Sequence, residues 1–161
     1  MLRAGVLTVS DRSASGMRTD TAGPALEEML RSNGVEVAWT AVVPDEESEI
    51  RKTLISWADE SNADLVLTTG GTGLSPRDVT PEATMAVIDR AIPCMAEAMR
   101  SASLRKTPHA MISRAVAGVR GRTLIINLPG SPKGALENLE AVLPAIAHAV
   151  AKIQGDPSEC A

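Results

Sequence analysis

Phenylalanine and tyrosine are absent from this 161-residue sequence, and tryptophan occurs only twice. A core without phenyl rings must be filled by Val, Leu, Ile, Met and Ala, and aromatic stacking is not expected to organise it. The same scarcity removes the ring platforms that hold single-stranded nucleic acids, and a formal net charge of −4 opposes a phosphate backbone. Nucleic acid is therefore excluded as a partner. Cysteine is as scarce: Cys94 and Cys160 lie far apart with no CxxC spacing, which fits a reduced intracellular chain and gives no support to a disulfide framework or a zinc site. No apolar run approaches the roughly 18 to 20 residues of a membrane span, and no basic N-terminus precedes an apolar stretch. A cytoplasmic location without a membrane partner is the expectation. What remains is an ordinary globular composition, 44% hydrophobic and 22% charged, in a length suited to one domain around one apolar core.

Strand and helix patterns alternate along the chain. Val6-Leu7-Thr8-Val9 is short, β-branched and apolar, and runs into the loop-forming Ser10-Asp11-Arg12-Ser13. A loop through Gly16 to Gly23 precedes a helix that starts at Pro24, repeats Ala25, Leu26, Met29 and Leu30 at helical spacing, and stops at Asn33-Gly34. Val35 to Val43 reads as a second strand. Asp45 opens a helix with Ile50, Leu54, Trp57 and Ala58 on one face and Glu46, Glu47 and Glu49 near its positive end. Leu65 to Thr69 is a buried strand that enters Gly70-Gly71-Thr72-Gly73. Thr80-Pro81-Glu82 has the order of N-cap, first-turn proline and first-turn acid, with Thr84, Val87, Ile88 and Ala91 behind it. Pro93 starts another helix, in which Met95 and Met99 are core residues, and Thr107-Pro108 ends the pattern. The type of 110–117 is undetermined, Gly118 to Gly121 reads as a turn, and Thr123 to Asn127 as a further buried strand. Pro144 is expected to divide the last helical stretch in two near Leu143. The alternation predicts an α/β fold, a single three-layer α/β/α domain with a mixed, mostly parallel sheet. Ligands in such sheets sit beyond the carboxyl ends of the strands, which here carry Ser10-Asp11, Gly70 to Gly73 and Asn127 to Gly130.

The glycine loop offers backbone amides without Cβ obstruction, as close wrapping of an oligophosphate requires. By itself it is equally a sharp turn. It is neither a P-loop, for want of a following Gly-Lys-Ser/Thr, nor a dinucleotide fingerprint, for want of a third glycine. Asp78 a few residues on suits Mg²⁺ held through oxygen, and Arg77 suits phosphate oxygens, the alternative being a surface ion pair. Asp45 reads first as an N-cap. Ser113-Arg114 and Lys133 read as surface or turn residues before phosphate contacts. His109, after a proline in a loop, and His148, in an Ala-rich helix, have no paired ligand nearby.

Several segments taken in order resemble the molybdenum-cofactor biosynthesis family that contains molybdopterin adenylyltransferase and the matching domain of gephyrin-like fusions. They are Leu7-Thr8-Val9-Ser10-Asp11-Arg12 with Gly16, Asp20 and Gly23, then Val43-Pro44-Asp45-Glu46, Thr68 through Gly73, Pro76 through Thr84, Met111-Ile112-Ser113-Arg114, and Leu124 through Gly130. The resemblance runs from about Leu7 to Ile153. It implies a molybdopterin-binding domain over 1–154 with a short tail at 155–161, a trimer, ATP and molybdopterin as substrates, and Mg²⁺. It implies catalytic roles for Asp45 and Asp78, with Asp78 also at the metal. Nucleotide contacts are implied for Gly70, Gly71, Thr72, Gly73, Leu128, Pro129 and Gly130, with Ser10, Asp11 and Asn127 expected to join them from the same strand ends, and molybdopterin contacts are implied for Thr80, Ser113 and Arg114. The segment from Asp20 to Pro24 varies in the family and receives no role.

The chemistry so implied is transfer of AMP from ATP to the terminal phosphate of molybdopterin, with hand-off to a molybdenum-insertion protein as a further expectation. That phosphate is already an anion and needs no histidine base, so the absence of a catalytic triad fits. Two rivals share the fold: a non-catalytic carrier or scaffold that binds molybdopterin, and an enzyme acting on another nucleotide-linked phosphate.

Overall fold

A computed structural model of the protein describes residues 1–160; Ala161, the last residue of the expected tail, lies outside the described residues. The chain runs β1 (Arg3–Val9), α1 (Asp11–Ala14), α2 (Ala22–Ser32), β2 (Glu36–Val43), α3 (Glu47–Ile55), a π-helical turn (Ser56–Glu60), β3 (Leu65–Thr69), α4 (Thr80–Val87), β4 (Arg90–Ala91), α5 (Pro93–Leu104), a 3₁₀ turn (Pro108–Ile112), β5 (Ala117–Arg120), β6 (Thr123–Leu128) and α6 (Pro132–Ile153). The strands form one sheet in the order β2-β1-β3-β6-β5-β4. Four of them are parallel, and β5 and β4 continue the sheet antiparallel. This is the expected mixed, mostly parallel α/β architecture.

Period-two alternation along the central strands feeds two separate cores. On one face Ala4 and Val6 of β1, Leu65 and Leu67 of β3, and Leu124, Ile126 and Leu128 of β6 pack under α2, α5 and α6. On the other, Leu7, Val9, Val66 and Ile125 meet α3 and α4 through Ile50, Leu54, Ala83 and Val87. Aliphatic side chains fill both, with Met95 and Met99 in the first as expected. Trp57 is the one aromatic buried there, and it lies so close to Gly5 that a Cβ on that residue would overlap its ring. Trp39 instead stands on the edge strand β2, 4.6 Å from the Arg3 guanidinium.

Four elements differ from the sequence reading. First, α6 is one helix through Pro144. Its buried face, Ala135, Leu139, Val142, Ile146 and Val150, continues across the proline, while Glu140 and Pro144 are exposed, so water can serve the carbonyl that lost its amide partner. Second, the expected turn at 118–121 is mostly strand β5, turning only at Gly121, which has φ +54°. The small Gly118 is needed there because Ile88 and the Arg90 carbonyl press against it. Third, α4 ends at Val87, and Ala91 belongs to the two-residue strand β4 rather than to a helix face. Fourth, α2 begins two residues before Pro24, at Ala22, and a short helix α1 occupies the start of the first loop.

Candidate active site

In-register parallel pairing brings the ends of β1, β3 and β6 side by side: Thr8 is opposite Thr69, and Thr69 opposite Leu128. The chain must leave the sheet three times at one edge. Gly70 and Gly71 make the sharpest exit, with φ of +100° and +66°, a backbone region that side chains rarely tolerate. A Cβ on Gly70 would strike the Val9 carbonyl, and one on Gly130 would lie 3.2 Å from the Gly70 Cα, so two loops touch through glycine alone. Thr69 ties them further by donating its hydroxyl to the Pro129 carbonyl at 2.6 Å.

The two acids stand on either side of the glycine loop. A methyl on Gly71 would lie 3.1 Å from Asp45 Oδ1, and one on Gly73 would lie 2.9 Å from Asp78 Oδ2. Asp45 is no N-cap. Its Oδ2 accepts from the Asp11 amide at 2.8 Å while its own amide donates to Asp11 Oδ1 at 2.9 Å, a reciprocal pair that fixes the turn after β2 against the turn after β1. Asp78 holds its own loop through the Ser75 amide, 2.9 Å away.

These loops enclose a cleft of about 320 Å³ lined by Ser10, Asp45, Gly70, Gly71, Asp78 and Gly130 among the anticipated residues. Ser131, Thr8 and the segment from Arg18 to Ala22 also line it. That last segment received no role from the sequence. It is drawn in by Asp20, which accepts from the Thr8 hydroxyl at 2.6 Å and from the Gly23 amide at 3.1 Å. An acid three residues before an amide at a helix start is the available sequence signal, and Asp20-x-x-Gly23 carries it.

A second cavity, of about 250 Å³, lies behind the same loops and is lined by Thr72, Gly73, Ser113, Pro129, Ser131 and Asn138 together with residues of α5 and the 3₁₀ turn. Ser131 borders both spaces. The anticipated residues thus divide: Ser113, Thr72, Gly73 and Pro129 face the second cavity and not the cleft.

Others of that set have side chains engaged within the fold. Asn127 is fully buried, donates to the hydroxyls of Thr68 and Thr84 at 3.0 and 2.9 Å, and accepts from the Val116 amide, so its side chain links β6 to β3 and α4. Leu128 is equally buried in the core. Thr80, expected to touch molybdopterin and to cap α4, is fully buried in the helix itself and donates to the Gly70 carbonyl at 2.9 Å, holding the glycine turn. Arg114 donates to the carbonyls of Gly73 and Asp78 at 2.7 and 2.8 Å and pairs with Glu82. Arg77 grips carboxylates where phosphate was expected, with Nε and Nη2 on Asp11 at 3.0 and 3.1 Å and Nη2 also 2.8 Å from Glu46. Asp11 is therefore occupied by Arg77 and the Asp45 amide.

Charge follows from this geometry. Burial pushes the Asp45 carboxyl above its ordinary range, with the charges of Asp11 and Asp78 adding to the rise against the Asp11 amide and Arg77, which oppose it. Asp11 is held below its ordinary range, first by the Arg77 hydrogen bonds and then by the Asp45 amide. Glu82 is likewise lowered by Arg114.

Sequence comparison bears on the same region. Residues 5–148 match the family described as "Probable molybdopterin binding domain". The chain is 46% identical to the molybdopterin adenylyltransferase of Helicobacter pylori J99 over 158 residues, covering 96% of this chain and 89% of that protein. It is 49% identical to the molybdopterin adenylyltransferase of Escherichia coli K12 over 144 residues, 88% of this chain and 73% of that one. The crystal structure of the molybdopterin biosynthesis enzyme MoaB from Thermus thermophilus superimposes with a TM-score of 0.92 at 57% identity, covering 99% of this chain and all of that one. With its glycine turn set between two aspartates at the edge of such a sheet, the chain belongs to the molybdenum-cofactor biosynthesis family of molybdopterin-binding domains.

Proposed function

We propose that this chain is a molybdopterin adenylyltransferase, moving AMP from ATP to the terminal phosphate of molybdopterin with release of pyrophosphate. The observation that carries the reading is the placement of Asp45 and Asp78 against Gly71 and Gly73, beside a cleft that shares Ser131 with a second cavity. Two adjoining spaces fit two substrates. The cleft, with bare glycine backbone, takes the nucleotide through Ser10, Gly70, Gly71 and Gly130. The cavity bordered by Thr72, Gly73 and Ser113 takes the pterin.

In the reaction an oxygen of the molybdopterin phosphate attacks the α-phosphorus of ATP, the bond to the bridging oxygen breaks, and pyrophosphate departs with that electron pair. No proton need be removed. The chain aligns the two anions and offsets their repulsion. Rigid loops, tied by Thr80, Thr69 and Arg114, keep the amides pointed at the phosphates without reorganisation.

Magnesium fits the donor set. Among the described residues no cluster of three or more His, Cys, Asp or Glu side chains is arranged to hold a metal. Mg²⁺ is commonly bound by one or two carboxylates with substrate phosphates and water, and Asp78 and Asp45 are two carboxylates on the wall of one cleft, Asp45 being raised first by burial and further by the charges of Asp11 and Asp78. The ion would be held by Asp78 with Asp45 nearby, and when bound it supplies positive charge to the phosphates. The reading also carries a homotrimer, a cytoplasmic location and hand-off to a molybdenum-insertion protein. Exposed apolar side chains at Leu74 (65%), Met111 (74%) and Ile112 (52%) support burial against further copies of the chain.

Incubating the protein with ATP, Mg²⁺ and molybdopterin and weighing the products tests this directly. Pyrophosphate and an adenylylated pterin are expected, both dependent on pterin. ATP consumption that ignores the pterin overturns the substrate, and tight pterin binding without product overturns the enzyme in favour of a carrier.

A further inference from the structure

The cleft is short of positive charge for the ligand assigned to it. Asp20, Asp45 and Asp78 line it, while Arg77 is closed off by Asp11 and Glu46. Arg114 is occupied by Glu82 and two carbonyls. A nucleotide polyphosphate brought among those acids is favoured by a cation from the protein as well as from any metal. Among the described residues, Arg18 is the only cationic residue that lines the cleft, and it enters none of the ion pairs found there.

Its backbone is fixed from both directions. The amides of Met17 and Arg18 donate to the Arg12 carbonyl at 2.9 and 3.2 Å, and two residues on Asp20 is fastened to Thr8 and Gly23. Gly23 permits this approach, since a Cβ there would overlap Asp20 and the Thr8 hydroxyl. The loop thus places a permanently charged, forked donor on the lining of the cleft that Gly70 and Gly71 also line, a group suited to two phosphate oxygens at once.

We propose that Arg18 is a binding residue for the polyphosphate of the nucleotide, contacting phosphates that are not transferred. The inference rests on the nucleotide reading above. A contact made equally before and during the reaction changes KM and leaves kcat nearly alone.

Titration calorimetry with ATP and with inorganic pyrophosphate, both in the presence of Mg²⁺, tests it on the full chain. Arg18→Ala is expected to weaken both ligands by at least about tenfold, as loss of a charge-assisted contact does. Arg18→Lys is expected to recover part of the loss. Arg12→Ala, which removes the same charge outside the cleft, is expected to stay within about twofold of the parent. Turnover of Arg18→Ala is expected to show a raised KM for ATP, an unchanged KM for molybdopterin and kcat within about threefold, with an unaltered unfolding midpoint. Wild-type protein that binds and Arg18→Ala that binds equally well overturn the role of Arg18 alone. Equal losses in Arg12→Ala and Arg18→Ala reduce the effect to general charge and also overturn it. Wild-type protein that binds neither ligand overturns the nucleotide reading itself.

Discussion

At the scale of single residues, Asp45 and Asp11 share a reciprocal pair of hydrogen bonds yet respond to pH in opposite senses. Asp45 is raised in the fold, so its contribution to stability is present below the ordinary aspartate value and is lost as pH climbs through the raised one. Asp11 is lowered, so its contribution is present above the ordinary value and is lost as pH falls through the lowered one. Urea unfolding of Asp45→Asn is therefore expected to gain on wild type as pH rises across the acid range, and Asp11→Asn to lose ground. The activity profile should show the same asymmetry: kcat/KM declines on the acid side at a pH above that of an ordinary aspartate, and Asp45→Asn removes this limb. Asp78→Asn is expected to keep the fold by circular dichroism and to cut adenylyl transfer by on the order of 100-fold, as removal of a key electrostatic group does; near-normal turnover would refute its assignment. Residue identity made these acids and the glycines visible in the sequence. It could not show that the side chains of Asn127 and Thr80 bond to a neighbouring strand, helix and turn, because their chemistry suits a ligand equally well.

Elements add constraints that no residue carries by itself. The glycine turn must reverse out of β3 with two left-handed residues beneath Thr80, and Gly71→Ala meets both obstacles, the strained φ and the Thr80 hydroxyl. That variant is expected to lose about 1–3 kcal/mol of stability by urea titration, together with most nucleotide binding. In α6 the opposite holds. Pro144 sits on an exposed stretch of an otherwise continuous helix, so Pro144→Ala restores an amide and is expected to raise the unfolding free energy by roughly 1–3 kcal/mol. The sequence reading placed a break at Pro144 because local propensity was weighed without the buried stripe on the far side of the helix. The same imbalance hid β5: Gly118 and Gly121 look like turn residues, but pairing with β6 and the pressure of Ile88 make the first of them a strand residue. Fully buried strands such as β3 and β6 are readable from their apolar runs, since tertiary contact reinforces that signal.

For the whole molecule, parallel register decides function as much as architecture. Strands β1, β3 and β6 end level, and segments more than a hundred residues apart in sequence thereby meet at one edge. The alternation of elements made the sheet and that edge legible, whereas the wall carrying Arg18 was not, because it depends on how one loop folds back over its own strand. The exposed Met111 and Ile112 belong to this scale too. Sedimentation is expected to give the mass of three chains, and Met111→Lys with Ile112→Lys to shift it toward one; a wild-type monomer at micromolar concentration would exclude the trimer.

The cleft and the second cavity are separated by a common partition, the glycine turn and the stretch from Pro129 to Ser131. Any influence that an occupant of one chamber has on this shared wall reaches the other chamber, and such coupling is reciprocal. Whichever factor ATP imposes on pterin affinity, the pterin must impose on ATP, in the same direction and to the same extent. Order of addition can change the path to the filled enzyme, but not the free energy of arriving there.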